Sequence, residues 1–466
     1  MKRIILPAFI FISASLHGQA LPGFQTGSAA GVTGVFSNPA NIADSRYKWD
    51  VNLFSISTSV GNNKATFSTS DFGDNFSGDD LLRRFIGGGT EGSNALINAQ
   101  LTGPSFMIGL RDKSSIAFTS RARVLMNAVD FDGRLANQLL YPEEMQFSLP
   151  YEIRSDKNMR VNINAWSEFG LSYARVLKND GEHFVKAGVT LKYLAGVTNG
   201  YLNVNRLNAN IYATGLTDEG AVANASGALA VGAGGVKLDN FEAKDLTSFE
   251  SSGFGADLGF VYEYRPGIAN DELSGWRQDR EKYKFRFGAS LIDAGKIKYK
   301  KDMQRSGGYN VDIDGVEFLD LNELSNQPLD ELNQYFAANP DLFTPTDAGP
   351  ANYKAALPTT LQLDADYHIN GGLFVNAGGQ ISLTDNETKI YNSQYYSGFS
   401  LTPRWEGKRL GFYLPLSYNA LTDFNAGLAF RFGPVFLGSG SILSAVFGDS
   451  KQADAFFGVK FGGLLD

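Results

Sequence analysis

The sequence contains no cysteine, only three histidines and no apolar run long enough for a membrane-spanning helix. Without cysteine there can be no disulfide framework, no lipid-anchored N-terminal cysteine and no thiolate metal site. A transmembrane helix needs about 20 apolar residues, so any crossing of a bilayer has to use the strands of a closed barrel. The net charge of −8 argues against nucleic acid as a partner, because proteins that bind nucleic acid present basic surfaces.

Catalytic and metal-binding motifs are scarce too. Neither a Gly-x-Ser-x-Gly nucleophile elbow nor a His-Glu-x-x-His zinc motif occurs. Residues 310–315 resemble the first half of an EF-hand loop, but the closing glutamate position is Leu321, so the calcium motif fails. His368 shares a strand face with Asp364 and Asp366, where a wet polar strip is a simpler account than a catalytic relay. We therefore predict no enzyme, no metal site and no cofactor.

The N-terminus carries an export pattern. Lys2 and Arg3 precede the apolar run Ile4–Leu16, which ends in the stretch Gly18-Gln19-Ala20. A basic start, a short apolar core and small residues at a cleavage position are typical of a secretory signal peptide. We predict that residues 1–20 are a cleaved signal peptide; a buried N-terminal helix is the alternative.

Alternation of apolar and polar residues dominates the rest of the sequence. In a strand successive side chains point to opposite faces, so this alternation predicts a wall with one apolar and one polar face. The clearest examples are Val185–Tyr193, Tyr283–Leu291, Leu361–Ile369, Phe424–Phe432 and Asp454–Phe461.

A soluble sandwich also alternates, but three features favour a membrane barrel. Strands rich in Phe and Leu recur along the whole chain, an export signal precedes them, and tyrosines near strand ends are typical of an interfacial aromatic girdle. The tyrosines on outward parity are Tyr173, Tyr193, Tyr283, Tyr367 and Tyr418. We predict an all-β fold, a transmembrane antiparallel β-barrel over residues 49–466 in the outer membrane, with a secreted soluble β-protein as the alternative.

The predicted barrel has about 14 strands, because bacterial single-chain barrels use even strand numbers. The expected strands are 49–60, 63–70, 101–110, 114–126, 163–178, 182–205, 253–265, 282–294, 358–369, 372–384, 396–406, 409–419, 423–433 and 453–462, with 433–446 as one more candidate. The stretches 71–100, 127–160, 206–252 and 298–356 are expected to be long extracellular loops, with short helices at 79–85 and 328–338. Within them, 221–235 is expected to be flexible or tucked against the lumen, and Asp314-Gly315 to form a hairpin turn.

The inward parity of the predicted strands carries charges of both signs. Such a set either pairs across the lumen and fills it or lines a pore, and both alternatives stay open at this strand number. The lumen-facing candidates are Arg121, Arg123, Lys186, Lys192, Asp257, Lys284, Arg286, Asp364, Asp366, His368, Asp423 and Arg431.

Two resemblances rest on specific segments. Residues 34–45 (GVFSNPANIADS), 401–409 (LTPRWEGKR) and 413–419 (YLPLSYN) resemble an uncharacterised family of predicted outer-membrane proteins of Gram-negative bacteria. The motif Asn38-Pro39-Ala40, before the first wall strand, is similar to the start of the long-chain fatty-acid transporter superfamily. That resemblance implies a barrel whose N-terminal segment, here 21–48, folds into the lumen as a hatch. A tight turn that aims the chain into the first strand explains the motif equally well.

Two functional hypotheses follow. The first is transport or binding of a hydrophobic or small ligand through a partly plugged lumen, as in the importers of that superfamily. The second is a non-transporting platform for surface or secreted proteins, as in its members that serve the type IX secretion system. The expected partners are outer-membrane lipid and either a hydrophobic ligand or an outer-membrane or secreted protein, which would dock on the long loops.

Overall fold

A computed structural model describes residues 23–68, 92–110, 113–140, 149–213, 220–237, 242–247, 250–266, 283–328 and 330–464. The predicted signal peptide at 1–20 and the predicted helix at 79–85 lie outside these ranges. Within the described ranges, no helix is long and apolar enough to cross a membrane.

Strands make up most of the described chain. They are β1 (Tyr47–Asn62), β2 (Ser93–Thr102), β3 (Ser105–Gly109), β4 (Ser114–Phe131), β5 (Tyr151–Arg154), β6 (Asn158–Asn179), β7 (His183–Ala213), β8 (Gly220–Gly235), β9 (Ser251–Tyr264), β10 (Phe285–Lys300), β11 (Gly307–Asp320), β12 (Phe343–Thr346), β13 (Asn352–Ala356), β14 (Thr360–Asn370), β15 (Leu373–Ser382), β16 (Gly398–Glu406), β17 (Leu410–Tyr413), β18 (Leu416–Asn419), β19 (Asp423–Ala426), β20 (Leu428–Phe432), β21 (Val435–Ser439) and β22 (Gln452–Leu464). The α-helices are α1 (Gly133–Leu140), α2 (Leu321–Ser325), α3 (Leu332–Ala338) and α4 (Ile442–Phe447), and 3₁₀ turns span Gly31–Phe36, Pro39–Ile42 and Ala243–Thr247.

The wall is a closed antiparallel barrel of 14 strands. Closure is made by β1 and β22, which pair from Tyr47 with Leu464 to Gly61 with Gln452. Four wall strands consist of two segments each: β2 with β3, β13 with β14, β17 with β18 and β19 with β20. Three of these breaks contain a proline (Pro104, Pro358 and Pro415), which lacks the N–H that a ladder requires. The predicted barrel is confirmed, and the alternative of two stacked sheets is wrong.

One predicted wall strand is misplaced. Residues 63–68 form no strand beyond a single bridge between Phe67 and Ser450, and 69–70 lie outside the described ranges. The second wall strand is instead β2 with β3, which contains the predicted strand 101–110 and begins at Ser93, within the predicted loop 71–100. It pairs with β1 on one side and β4 on the other. The additional candidate at 433–446 is a wall strand over Val435–Ser439, so the total remains 14. The upper part of β2 carries Asn, Ala and Gln in place of a Phe/Leu row, so it lacks the pattern that identified the other strands.

Three of the predicted loops, 127–160, 206–252 and 298–356, contribute strands to a branch of the sheet, called the second sheet below. The outer half of β7 pairs with β8 in place of β9, β8 pairs with β11, β11 pairs with β12, and β5 lies beside the end of β7. Residues 221–235 are therefore a strand and neither flexible nor tucked into the lumen. Their Ala/Gly sequence has weak strand preference, and the pairing partners on both sides determine the conformation.

This second sheet has its own apolar core. The core is lined by buried side chains from six strands and from α1, α2 and α3, among them Ile153, Ile211, Val222, Ile313, Leu321, Phe336 and Phe343. The predicted helix at 328–338 is confirmed over 332–338. The predicted hairpin at Asp314-Gly315 is wrong, because β11 continues through it. Residues 315–318 bulge out between the pairs Asp314 with Asn224 and Leu319 with Val222.

The two ends of the barrel differ. At one end the connections 110–113, 180–182, 371–372, 407–409 and 433–434 are tight, and both Tyr47 and Leu464 lie there. The opposite end carries the second sheet and the connections 63–92, 132–157, 301–351 and 383–397. Short turns are periplasmic and long connections extracellular in barrels of this type, which gives this barrel its orientation.

The outside of the wall is apolar. Leu191 is 63% exposed, Phe287 50% and Phe399 64%, and such rows recur on successive strands, as the alternation predicted. An exposed apolar band of this extent is covered by lipid in outer-membrane barrels. One residue departs from the predicted rows: Tyr283 is 7% exposed and donates a hydrogen bond to the inward Asp366. Strand β10 begins only at Phe285, so the alternation does not extend to Tyr283.

Candidate functional site in the barrel lumen

The N-terminal segment, residues 23–46, lies inside the lumen. Its two 3₁₀ turns bury Val32, Val35 and Ile42 against the inward wall residues Met107 and Ala174. Phe24 stacks on Phe436 and meets the edge of Tyr413 near the tight-turn end. The lower half of the lumen is therefore filled by chain and not by an aqueous channel.

Asn38 and Pro39 fix this segment to the wall. The Asn38 Oδ1 atom accepts a hydrogen bond from the Ala40 amide at 2.9 Å, which starts the second 3₁₀ turn, with Pro39 at its first position. The Asn38 amide nitrogen donates to the carbonyls of Phe260 at 3.1 Å and Ala289 at 3.3 Å, on adjacent wall strands. The motif thus makes a turn and a wall contact at once.

Two wall glycines leave room for this motif. A Cβ atom on Gly259 would lie 2.0 Å from Asn38 Oδ1, and one on Gly188 would lie 2.5 Å from the Pro39 carbonyl carbon. Both distances are far below van der Waals contact, so no larger residue fits unless the segment moves. The wall is shaped to receive the segment.

Inward polar side chains bond to the backbone of the segment. Lys186 donates to the Ala43 carbonyl at 3.0 Å, and Lys460 donates to the Ala30 carbonyl at 2.9 Å. Asp50 accepts from the Val32 amide at 2.8 Å. These contacts satisfy backbone groups that would otherwise be buried without partners.

Above the segment, a layer of six charged side chains lies on the inner face of five consecutive wall strands, β4, β6, β7, β9 and β10. Arg121, Arg123 and Lys192 meet Glu168, Asp257 and Asp293, so the layer is formally neutral. Asp293 lies 2.8 Å from Arg123 and 2.6 Å from Lys192, and Arg121 lies 2.5 Å from Glu168. These charged side chains pair with one another along one side of the inner wall.

A second charged group joins neighbouring wall strands. Arg404 contacts both carboxylate oxygens of Asp366 at 2.6 Å, and both side chains are fully buried. Arg286 lies 2.7 Å from Asp364, and its guanidinium also reaches Asn41 of the N-terminal segment at 2.5 Å. The wall network is therefore continuous with the contacts of that segment.

The upper lumen is closed by the inward loop, residues 383–397 between β15 and β16. Three buried asparagines hold its backbone, one on each of the adjacent strands β4, β6 and β7. Asn127 and the backbone of Gln394 exchange two hydrogen bonds of 3.0 Å, and Asn162 donates to the Asn392 carbonyl at 3.0 Å. Asn199 donates to the Tyr391 carbonyl at 3.1 Å. The backbone of this loop is therefore hydrogen-bonded by asparagine side chains of the wall and not by the backbone of a neighbouring strand.

Beneath the inward loop lies an aromatic layer. Its fully buried members come from five wall strands and include Leu125, Trp166, Leu194, Tyr299 and Leu357. The loop covers them with its own rings, Tyr391, Tyr395 and Tyr396. Tyr391 packs on Tyr353 with ring centroids 4.9 Å apart, and Arg123 of the charged layer donates to the Tyr395 hydroxyl at 2.9 Å.

The predicted lumen residues fall into two groups. Lys284 and His368 lie at the tight-turn rim, where they bond to the carbonyls of Ile369 and Gly371, and Asp423 lies exposed at the opposite rim, 2.6 Å from Lys451. Parity places these three on the inward face, but each stands where its strand ends. Enclosed in the barrel are Arg121, Arg123, Lys186, Lys192, Asp257, Arg286, Asp364, Asp366 and Arg431.

Several residues of the site escaped the sequence analysis. Glu168, Arg404 and the asparagines of β4, β6 and β7 share the inward parity and were overlooked among the more obvious charges. Asp293 had no usable signal, because it sits in a bulge of β10 with a positive φ of 60°, which resets the alternation.

This arrangement defines the class: an outer-membrane-type β-barrel whose lumen is closed by its own N-terminal segment, a neutral charge layer and an inward loop. Residues 39–440 match the Family of unknown function (DUF5723), and the chain belongs to that family. No curated protein matches the sequence.

Solved structures with a similar fold include two toluene-transport proteins and a FadL homologue. The toluene transporter TbuX of Ralstonia pickettii is 11% identical, with 96% of this chain and 99% of that chain covered and a TM-score of 0.40. A mutant of TodX, the Pseudomonas putida toluene transporter, is 12% identical, with 94% and 95% covered and a TM-score of 0.46. A Pseudomonas aeruginosa FadL homologue is 12% identical, with 96% and 99% covered and a TM-score of 0.41.

Proposed function

We propose that this protein resides in the outer membrane, after removal of residues 1–20 as a signal peptide, and binds a small hydrophobic ligand in its upper lumen. In this proposal the ligand passes inward when the inward loop and the N-terminal segment move. The observation that carries the proposal is the aromatic layer under the inward loop, where three tyrosines of the loop cover an apolar surface.

The physical reason lies in how the aromatic layer is covered. Buried aromatic side chains each remove about 150–250 Å² from water, so the layer is unstable when uncovered. The loop covers it while being fixed to the wall mainly by hydrogen bonds, each worth about 1 kcal/mol net. A ligand with an apolar ring can take the place of the tyrosine rings and compensate for the contacts that the loop loses.

The charge layer below explains why the resting barrel is no open pore. Its six groups are bonded to each other, and separating buried ion pairs without replacement partners costs about 3–5 kcal/mol each. Passage of a ligand through the lumen therefore requires several groups to move together. In this proposal the N-terminal segment is the part that leaves the lumen.

A cross-linking experiment tests the proposal. The chain has no cysteine, so the pair Asn162→Cys and Ser393→Cys, whose side chains lie 3.1 Å apart in the parent chain, is uniquely reactive. Cells that express this variant are treated with a short reducible thiol cross-linker, and entry of the aromatic dye N-phenylnaphthylamine is followed by its fluorescence. The matched control is the pair Asp423→Cys and Lys451→Cys, at the exposed rim away from the loop.

We expect cross-linking at 162/393 to abolish dye entry above the level of cells without the protein, and reduction to restore it. The rim pair should leave dye entry unchanged. Dye entry that persists with the inward loop locked would contradict ligand passage through the lumen. Liposome swelling with small sugars provides a second measurement, and a closed lumen should give none.

An attachment platform is the second candidate, favoured by the second sheet. That sheet has a core of its own, and its bulge exposes Val316 at 84% and Phe318 at 58%. Exposed apolar side chains on a folded extracellular unit are typical of protein contact sites. If the platform function holds, Val316→Ser with Phe318→Ser will remove a co-purifying surface protein, while Phe447→Ser, at 85% exposure on α4, will retain it.

A further inference from the structure

The outer face of β10 changes from apolar to cationic along its length. Phe285, Phe287 and Leu291 point outward in the lower part. After the bulge between Leu291 and Ala294, the exposed side chains are lysines, at positions 296, 298 and 300. The change occurs on the half of the strand nearer the extracellular end, where the apolar belt meets the lipid headgroups.

Other lysines join this row around a surface cavity. Lys354 on β13 is exposed and stands directly opposite Lys298 in the ladder, and Lys389 comes from the inward loop. The cavity has a volume of about 720 Å³. It is lined by apolar side chains, including Phe254 and Leu383, and by the lysines at positions 296, 298, 354 and 389. Phe254 is 76% exposed and Leu383 53%, so the apolar part continues into the lipid-facing belt.

Carboxylates of the described residues do not neutralise this row. No described carboxylate forms a salt bridge with Lys296, Lys298 or Lys354. Other lysines of the described chain, such as Lys192 and Lys451, do lie within 4.0 Å of a carboxylate. The one acidic residue in the cavity lining is Asp385. Hydrogen bonds from the Thr388 hydroxyl and backbone lower the pKa of Asp385. The Asp385 carboxylate therefore already accepts hydrogen bonds within its own turn.

We propose that this cavity binds the phosphate-bearing headgroup of an outer-leaflet lipid, with the acyl chains lying along Phe254 and the apolar belt below it. Two like charges directly opposite each other in a ladder, as at Lys298 and Lys354, are unfavourable unless an anion lies between them. Ammonium groups at a membrane surface each attract acidic headgroups with about 1 kcal/mol. The apolar part of the cavity favours an amphiphile over a free anion.

This inference depends on the membrane location of the barrel and not on transport through the lumen. It concerns the outer surface, and it can hold for a transporter or for a platform. Dye entry that persists with the inward loop cross-linked would contradict transport through the lumen and would still leave this inference intact.

The test uses the full-length protein, delipidated in detergent and measured by native mass spectrometry. The added probes are diphosphorylated lipid A, phosphatidylcholine and inorganic phosphate. The test variant is Lys298→Gln with Lys354→Gln. The matched control is Lys178→Gln with Lys408→Gln, which removes two exposed lysines from the tight-turn end. Far-ultraviolet circular dichroism checks that each variant keeps its strands.

We expect one lipid A molecule per barrel and no retained phosphatidylcholine. The test variant should bind roughly 30-fold more weakly, which corresponds to about 2 kcal/mol for two lysines, and the control should match the parent. Phe254→Ala should weaken lipid A binding without changing the response to inorganic phosphate. Equal affinity of parent and test variant would overturn the proposal, and so would inorganic phosphate that competes as strongly as the lipid.

Discussion

The buried pair Arg404 and Asp366 offers the sharpest test of the lumen network. Both side chains are fully buried and joined by two contacts of 2.6 Å, with Tyr283 also donating to Asp366. Arg404→Met removes the guanidinium and leaves the Asp366 carboxylate enclosed with one hydroxyl donor. Asp366→Leu leaves the guanidinium with the Tyr283 hydroxyl at 3.3 Å and the Glu406 carboxylate at 3.5 Å, both longer than the two contacts that are lost.

Each single substitution should cost about 3–5 kcal/mol, because it leaves an uncompensated charge in a dry interior. The double variant removes both charges and replaces them with apolar groups of similar volume. We therefore expect its cost to be smaller than the sum of the two single costs by about 2–3 kcal/mol. With a guanidinium m-value of about 4 kcal/mol/M, each single variant should unfold at a midpoint about 1 M lower.

The assay is equilibrium unfolding in lipid vesicles, followed by tryptophan fluorescence for the parent, both single variants and the double variant. Arg154→Met serves as the control, since Arg154 and its partner Glu152 are 65% and 61% exposed and such pairs contribute little. If the loss of unfolding free energy in the double variant equals the sum of the two single losses, the view that Arg404 and Asp366 neutralise each other is refuted. An unchanged midpoint in either single variant would refute their burial.

Three further predictions concern the wall, the segment and the loop. Phe287→Arg should lower membrane insertion in vesicles, because a cation facing mid-bilayer lipid costs about 2–4 kcal/mol, while Phe287→Leu should insert normally; equal insertion would mean that residue 287 faces inward. Gly259→Ala places a Cβ atom 2.0 Å from Asn38 Oδ1, so it should expose residues 23–46 to protease in the folded barrel, whereas Gly379→Ala, with nothing within 4 Å of its Cβ, should not; equal cleavage would contradict the seating of the segment. Asn162→Ala removes three hydrogen bonds to the inward loop and should speed amide exchange over residues 390–394 by at least about 5-fold, which corresponds to about 1 kcal/mol; unchanged exchange would show that the loop is held by other contacts.

The wall of this barrel was largely predictable from the sequence, whereas the second sheet and the inward loop were not. Segments such as Val185–Tyr193 carry large apolar side chains at every second position because lipid demands them, so period and length identify these strands. The second sheet faces no lipid. Its strand β8 consists mainly of Ala, Gly and Asn, whereas β11 alternates Tyr309, Val311 and Ile313 with polar residues but pairs with β8 and not with its own continuation. The conformation of both strands depends on partners that lie far away in the chain. The inward loop escaped prediction for the same reason, since Asn127, Asn162 and Asn199 approach one another only when β4, β6 and β7 pair.

By itself, the sequence determined the barrel and which parity meets lipid, because these follow from a local period of two and from the need to satisfy every backbone group in hydrocarbon. The predicted number of 14 strands agrees with the structure, but it included 63–70, which is not a wall strand, and it left out β21. Only the tertiary structure decided how the lumen is filled. Whether inward charges line a pore or neutralise one another depends on distances across the barrel, and those distances are set by closure of β1 on β22 and by bulges such as the one at Asp293. The local sequence does not show which inward side chains of distant strands will lie close together.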